Sequence, residues 1–382
     1  MKKICLITGS RAEYGLQRNL ILKLKKSKKF KLFLIVTASH LSYEYGYTIN
    51  EIKKDRVKIY KKVETLLSSN TPIGISKTFG LGIISFAELL DEIKPDILVL
   101  TGDRYEILSA AAASLFQNIP IAHIHGGEKT IGSYDDSIRH SITKMSNFHF
   151  VANDTYRKRV LQLGENPKNI YVVGGLGIDN IKNNNFISKK SIEKLLKIKF
   201  NEKNILVTYH PETTGVNNNL NDFKILLSAL ENFKNTNIYF TMPNADNDSK
   251  ELILAIKNFK IKNKNVFYFK SLGQRMYFSI LKHIDCVVGN SSSGISEVPT
   301  FKKPTINIGN RQTGRIFATS IINVRANKNE IKKAFSKINS KSFNKIIQKT
   351  INPYGKFGAS KKILSILEKI NFKKSSKEFF DI

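Results

Sequence analysis

PIAHIHGGEKTIGSYDDSIRHSITK, residues 120–144, passes from an apolar run through a glycine pair into the first turns of a helix. In the run and just before it, Ile119, Ile121, His123 and His125 are spaced by two, so they are expected to share one side of a strand. Beyond Gly126 and Gly127 the period changes. Asp135 and Arg139 are four apart, as are Asp136 and His140, which puts each pair on one helix face. Ser133 or Asp135 is the expected N-cap. Between His123 and Lys144 stand three histidines, three carboxylates, one arginine and two lysines. Open α/β sheets gather such groups at strand-to-helix junctions, where their ligands bind. Alone, the stretch reads equally well as a helix with surface ion pairs and two core histidines. The neighbouring loops decide against that.

Working outward, apolar runs alternate with helical patterns in both directions. Upstream lie runs at 3–8, 31–38, 57–63 and 96–104, with helices expected at 14–26, 47–56, 76–93 and 105–117. Downstream, 147–153 and 169–175 continue the series. Most runs lack polar alternation, as strands covered on both faces do, so a mostly parallel sheet is expected. Gly174, Gly175 and Gly177, then an Asn- and Lys-rich stretch, mark a domain change, after which the pattern restarts. Strands are expected at 204–212, 237–244, 265–269 and 285–290, with 304–311 as the last. The fold class is therefore α/β, with two Rossmann-like domains facing across a cleft. Residues 1–170, completed by a returning C-terminal helix within 355–382, form the first domain, and residues 171–354 the second. Residues after about 372 are expected to fray.

The 382 residues suit two domains, and 41% hydrophobic residues suffice for their cores. The net charge of +31 invites a nucleic-acid reading. Yet the lysines are spread throughout, beside heavy use of Asn and Ile, as in a chain from an AT-rich genome. A phosphate-bearing small substrate accounts for the charge as well, so no nucleic-acid partner is expected. Cys5 and Cys286 lie in apolar runs and read as buried free thiols of a reducing compartment. MKKICLITGS reads as a strand and turn, not a signal peptide, and no apolar run approaches the ~18 residues of a membrane span. A soluble cytoplasmic protein without membrane insertion is expected. No cysteine cluster or HExxH offers a metal site. No Walker sequence or GxGxxG stands in strand-turn-helix context, which excludes P-loop NTPases and nicotinamide dehydrogenases.

Polar residues recur at the strand ends. Arg11 follows the first strand in TGSRAEYG, where a guanidinium beside a helix start suits a phosphate. Asp103 and Arg104 end the run at 96–104. In VVGNSSSGISEVP, Gly289 permits a turn, and Ser291, Ser292 and Ser293 offer hydroxyls where helix N–H groups attract an anion. Glu297 reads as a capping-box carboxylate or as an acceptor for sugar hydroxyls. His210, Asn244 and Arg311 end further strands. The first domain thus offers acids and bases and the second a diphosphate cradle.

GSRAEYG, GDRYE, HIHGGEKT with DDSIRHSITKMS, YHPETT, GNSSSGISEVP and INIGNRQTGR, in this order from residue 1 to about 370, resemble the hydrolysing UDP-N-acetylglucosamine 2-epimerases of bacterial sialic-acid biosynthesis. The resemblance implies a glycosyltransferase-B-like fold, no metal or redox cofactor, a UDP-sugar substrate, and a homo-oligomer, dimer or tetramer. It implies removal of the C2 proton with loss of UDP to give a 2-acetamidoglucal. Water then adds at C1, and C2 is reprotonated from the other face. Carried onto this chain, Asp103, Glu128 and Asp135 are the carboxylates for proton transfer. Arg139 and His210 match residues near the reaction centre. Arg11, Ser291 and Ser292 match diphosphate contacts, Glu297 a ribose-binding acid, and Asn244 and Arg311 nucleotide contacts. Arg104 joins the substrate-binding set from its place beside Asp103. Many relatives carry glutamate where this chain has His125, which leaves the C2 base open between His125 and a carboxylate. Three alternatives remain. They are the same chemistry on a UDP- or GDP-linked 2,4-diacetamido sugar for legionaminic acid, a glycosyltransferase of the same fold, and a nucleic-acid binder resting on charge alone.

Overall fold

Lys2–Thr8 has no residue that competes with extended backbone, and its last five positions are buried. It forms β1 of a computed structural model that describes residues 1–67, 71–130, 134–182, 184–211, 219–242, 249–270, 272–372 and 377–381. There follow α1 (Arg11–Lys26), β2 (Phe30–Thr37), α2 (Ile49–Lys54), β3 (Ile59–Val63), α3 (Pro72–Ile93), β4 (Ile97–Thr101) and α4 (Tyr105–Phe116). Then come β5 (Ile121–Ile124), α5 (Tyr134–Met145), β6 (Phe148–Val151), α6 (Asp154–Gln162), β7 (Ile170–Val172) and α7 (Leu176–Lys182). The sheet is parallel in the order β3-β2-β1-β4-β5-β6-β7. Its order reverses direction between β1 and β4, the switch point at which such sheets open a crevice.

After α8 (Lys189–Leu196) a second parallel sheet begins. It comprises β8 (Lys203–Thr208), β9 (Thr236–Thr241), β10 (Val266–Phe269), β11 (Cys286–Gly289), β12 (Thr305–Ile308) and β13 (Ile321–Val324), in the order β10-β9-β8-β11-β12-β13. Its helices are α9 (Asn219–Leu230), α10 (Ser249–Lys262), α11 (Gly273–Leu281), α12 (Ser292–Ser296), α13 (Lys328–Ile338) and α14 (Lys341–Lys349). The switch point here lies between β8 and β11. The strand β13 is a correction, because β12 was expected to be the last. Only four residues long and never fully buried, IINV carries too weak a pattern to be read from sequence.

The chain divides into one unit of Met1–Lys129, Tyr134–Asn180 and Tyr354–Ile382 and another containing Ile181–Pro353. In the first unit α15 (Ala359–Lys369) packs on α1, burying Ile363 and Leu367 with Leu20 and Leu24. Asp179 caps this returning helix, accepting from the Ala359 N–H at 3.1 Å and the Ser360 N–H at 2.7 Å. The expected fraying of the tail is corrected for Lys377–Phe380. The Lys377 ammonium lies 2.7 Å from the buried Glu165 carboxylate and donates to the Ser146 carbonyl at 2.6 Å, just past the end of α5. The Phe380 N–H donates to the Gly164 carbonyl at 2.9 Å. A lysine at a helix C-terminus satisfies carbonyls that the helix leaves open.

Two other expectations change. The helix after β1 starts at Arg11 and not near Tyr14, because the Ser10 side chain caps it by accepting from the Glu13 N–H. Contrary to the sequence reading, α3 is long and apolar enough to cross a membrane by composition. It is nevertheless the crossover between parallel strands β3 and β4, packed against α4. Both cysteines are buried free thiols as expected, and burial pushes the Cys5 thiol up to about 12.

Candidate functional site

In the first unit the polar groups gather past the C-terminal ends of β1, β4 and β5. β5 stops at Ile124, so His125 does not continue the strand face with His123, which corrects the period-two expectation. His125 adopts φ +69° and Gly127 φ +74°. A Cβ on Gly127 would come within 2.4 Å of the Tyr156 carbonyl oxygen, so glycine is required there by both torsion and space. The double reversal brings two side chains three residues apart face to face. His125 Nδ1 lies 2.7 Å from Glu128 Oε1, with the two side chains 16% and 7% exposed. His125 Nε2 is buried and has no partner among the described residues. A non-glycine residue held at positive φ with an unpartnered buried nitrogen is a candidate functional position.

Arg139 organises the rest. Its side chain is 3% exposed and its guanidinium binds the Asp103 carboxylate. A second nitrogen donates to the Glu128 carbonyl at 2.9 Å, and Asp136 lies 3.7 Å away. Arg139 therefore joins the ends of β4 and β5 to α5, which is why Asp103, Glu128 and Arg139 form one cluster. Asp136 and His140 pair as expected, at 3.5 Å. Asp135 lies inside the first turn of α5 and is not its N-cap, and Ser133 is outside the described residues. His123 is buried, with Nε2 2.8 Å from the Gly102 carbonyl oxygen and Nδ1 3.1 Å from the Thr143 hydroxyl. Burial lowers its pKa to about 3, so it is a neutral strut between strand ends.

Arg11 is exposed in the first turn of α1, and Arg104 stands at the N-cap position of α4 without a side-chain cap, its Nε 3.0 Å from Glu106 Oε1. Beneath them lie two buried carboxylates that the sequence reading passed over. Glu13 accepts from the Gly9 N–H at 2.9 Å and from Gln17 at 3.0 Å. Burial raises its pKa to about 8, with the nearby charge of Glu106 adding to the rise. The S-x-x-E spacing of Ser10 and Glu13 was the available signal.

In the second unit one side chain ties the strand ends together. Asn290, fully buried after β11, accepts from the His210 N–H and donates to the His210 carbonyl, both at 2.8 Å. Its own carbonyl accepts from Gln312 at 2.9 Å and Arg311 at 3.2 Å. Asn290 thus links β8 to the loop after β12 across the switch point and holds His210 and Arg311 in one group. Neither Asn290 nor Gln312 was singled out by sequence. Burial, with Arg311 nearby, lowers the His210 imidazole to about 4. Gly289, at φ +131°, has no room for a Cβ, which would lie 2.0 Å from the Thr208 carbonyl oxygen.

Ser291 caps α12, and Ser292 is exposed at its first position. Because α12 has five residues its dipole is small, so what it offers an anion is the local N–H and hydroxyl groups. Glu297 is the C-cap of α12, which rules out the capping-box reading. The Ser293 hydroxyl donates to Glu297 and lies 2.9 Å from the Tyr277 hydroxyl. Desolvation pushes Glu297 up to about 7. Asn244 lies outside the described residues.

Two parallel-sheet α/β domains, each with its polar groups at a switch point, place the chain in the glycosyltransferase-B-like class. It belongs to the UDP-N-acetylglucosamine 2-epimerase family, whose model matches residues 22–368. It is 43% identical, over 90% of this chain and 88% of the other, to a GDP/UDP-N,N'-diacetylbacillosamine 2-epimerase (hydrolyzing) of Campylobacter jejuni. It is 38% identical to polysialic acid biosynthesis protein P7 of Escherichia coli, over 100% of this chain and 98% of that one. In fold it is similar to the UDP-GlcNAc 2-epimerase of Neisseria meningitidis solved with UDP-GlcNAc. The TM-score is 0.83 at 20% identity, covering 97% of this chain and 100% of the other.

Proposed function

We propose that this chain hydrolyses a UDP-linked 2-acetamido sugar with inversion at C2, taking UDP-N-acetylglucosamine to N-acetylmannosamine and UDP. The His125–Glu128 pair carries the reading. Glu128 holds one imidazole nitrogen, and the other, buried, makes no hydrogen bond among the described residues, which supports a proton-transfer role for the ring. His125 takes the C2 proton as UDP leaves C1, giving the 2-acetamidoglucal. Water then adds its hydroxyl to C1 and C2 receives a proton on the opposite face, from Asp103 or Asp135. Arg139 fixes Asp103. Arg11, Arg104, Ser291, Ser292, Asn244 and Arg311 bind the nucleotide diphosphate, Glu297 the ribose, and His210 lies near the reacting carbon. The reaction uses no metal or redox cofactor. The enzyme works in the cytoplasm as a homo-oligomer.

A second substrate has a specific observation in its favour. The 43% identity to a diacetylbacillosamine 2-epimerase exceeds the 38% to the polysialic acid protein, so a 4-acetamido substituent on the sugar is the alternative. NMR of products from UDP-N-acetylglucosamine and from UDP- and GDP-diacetylbacillosamine, run in D2O, separates the two. The substrate consumed yields a free 2-epimer carrying deuterium at C2. Survival of all three, or release of UDP only when a sugar acceptor is added, overturns the proposal.

A further inference from the structure

We propose, resting on the UDP-sugar reading above, that Glu106 is a positioning residue: it fixes the Arg104 guanidinium so that the two terminal nitrogens are kept for the diphosphate. The two residues stand at the start of α4, just past the end of β4. The Arg104 side chain is 50% exposed and that of Glu106 only 1%. Arg104 Nε donates to Glu106 Oε1 at 3.0 Å, and among the described residues neither terminal nitrogen makes a hydrogen bond. A guanidinium held through Nε keeps the edge that carries both terminal nitrogens, and that edge matches two phosphate oxygens. The Tyr105 ring lies against the same group, its centroid 5.3 Å from Arg104 Cζ. The guanidinium is thus held at one edge by a carboxylate and on one face by an aromatic ring.

Glu106 can do this because it is itself wedged in place. A Cβ on Gly9 would come within 2.8 Å of both Glu106 Cγ and Oε1, so the Glu106 side chain fills the space that a larger residue after β1 would take. Gly9 is pinned in turn. Its N–H donates to Glu13 at 2.9 Å, and its carbonyl accepts from the Ser39 hydroxyl at 2.9 Å and from the His40 N–H at 3.3 Å. Glu106 Oε2 is buried and has no hydrogen-bond partner among the described residues. A buried carboxylate satisfied at one oxygen, with the acid Glu13 nearby, is a costly way to fill space. What it supplies that an apolar side chain would not is a fixed acceptor for Arg104. A half-exposed arginine otherwise samples many rotamers, and holding it before the ligand arrives removes part of the entropy lost on binding.

The sign of one substitution separates positioning from charge. If only net charge mattered, removing the Glu106 carboxylate would tighten the binding of an anion. Positioning demands the reverse. Calorimetric titration of the full chain with UDP reads this without turnover. Arg104→Ala, at an exposed side chain, should weaken UDP binding tenfold or more. Glu106→Met, close in size but with no acceptor, should weaken it roughly tenfold. Glu106→Gln keeps a carbonyl for Arg104 Nε and should stay within about threefold of the wild type. In the Arg104→Ala background Glu106→Met should change the affinity no further, because the two residues act as one. The inference is overturned by a folded Glu106→Met that binds UDP as tightly as the wild type or more so, or by a loss of the same size with and without Arg104. Should Glu106→Met lose its native circular dichroism, Arg104→Ala decides, and wild-type affinity there overturns the inference equally. A wild type that does not bind UDP sinks the UDP-sugar reading and this inference together, whereas the other failures leave that reading standing.

Discussion

Glu128→Gln tests the proposed proton transfer at its centre. The carboxylate stands 2.7 Å from His125 Nδ1, and both side chains are largely removed from water. While the imidazole is neutral the interaction is a hydrogen bond, which glutamine can partly replace. Once His125 has taken the C2 proton, the pair becomes an imidazolium facing a carboxylate. At an effective dielectric of about 20, unit charges about 4 Å apart attract by about 4 kcal/mol. Discounting for the exposed part leaves about 3 kcal/mol, present only when the imidazole is charged. At about 1.4 kcal/mol per decade this lowers kcat by roughly 150-fold. KM should stay within about twofold, because an interaction absent from the ground state is lost. UDP release followed by a coupled assay gives both constants, and deuterium entry at C2 in D2O should slow in parallel. A variant that keeps kcat within about fivefold of wild type, or that loses only KM, would refute the assignment of His125 and Glu128 as a pair.

Three further outcomes follow from the geometry. Arg139→Ala leaves the Asp103 carboxylate and the Glu128 carbonyl without their donor and should cost about 3 kcal/mol of stability, read as a lower urea midpoint. Gly289→Ala, with its Cβ 2.0 Å from the Thr208 carbonyl oxygen and φ at +131°, should cost about 3 kcal/mol or more, read in the same titration or as loss of soluble protein. Glu297, pushed up to about 7, is largely protonated at pH 6 and ionised at pH 8. Only the carboxylate accepts from two ribose hydroxyls, so KM should fall as pH rises through 7, and Glu297→Gln should flatten that profile at a higher KM.

The architecture was legible because parallel strands buried on both faces leave continuous apolar runs, and the helices between them leave a different period. What escaped depended on backbone torsion or on residues far apart in sequence. His125 looked like a continuation of the PIAHIH strand, since alternation cannot register a reversal at φ +69°. The consequence is large, because the same reversal turns His125 away from His123 and onto Glu128. Asn290 carries no charge and sits in a run of serines, so nothing local marked it as the link between His210 and the loop holding Arg311. Lys377 was one lysine among many in a tail expected to fray, and only the fold brings it to Glu165 and to the end of α5.

The two switch points differ in the charge state they present at neutral pH, and this bears on how the proposed reaction divides between them. In the second unit the imidazole of His210 is held down near 4, and Asn290, Gln312 and the serines are neutral, so Arg311 supplies the fixed positive charge of that group. Binding by such groups changes little with pH except through Glu297. In the first unit His125 is hydrogen-bonded to Glu128, and Arg139, from inside the protein, joins Asp103 to the Glu128 carbonyl with Asp136 3.7 Å away. A leaving diphosphate needs donors that do not lose protons to it. A carbon acid needs a base that can be reset. In the proposed reaction, donors of fixed charge state in the second unit and ionisable pairs in the first suit these opposite demands. It follows that pH should act on KM through Glu297, a dependence that Glu297→Gln separates from the chemistry of the first unit.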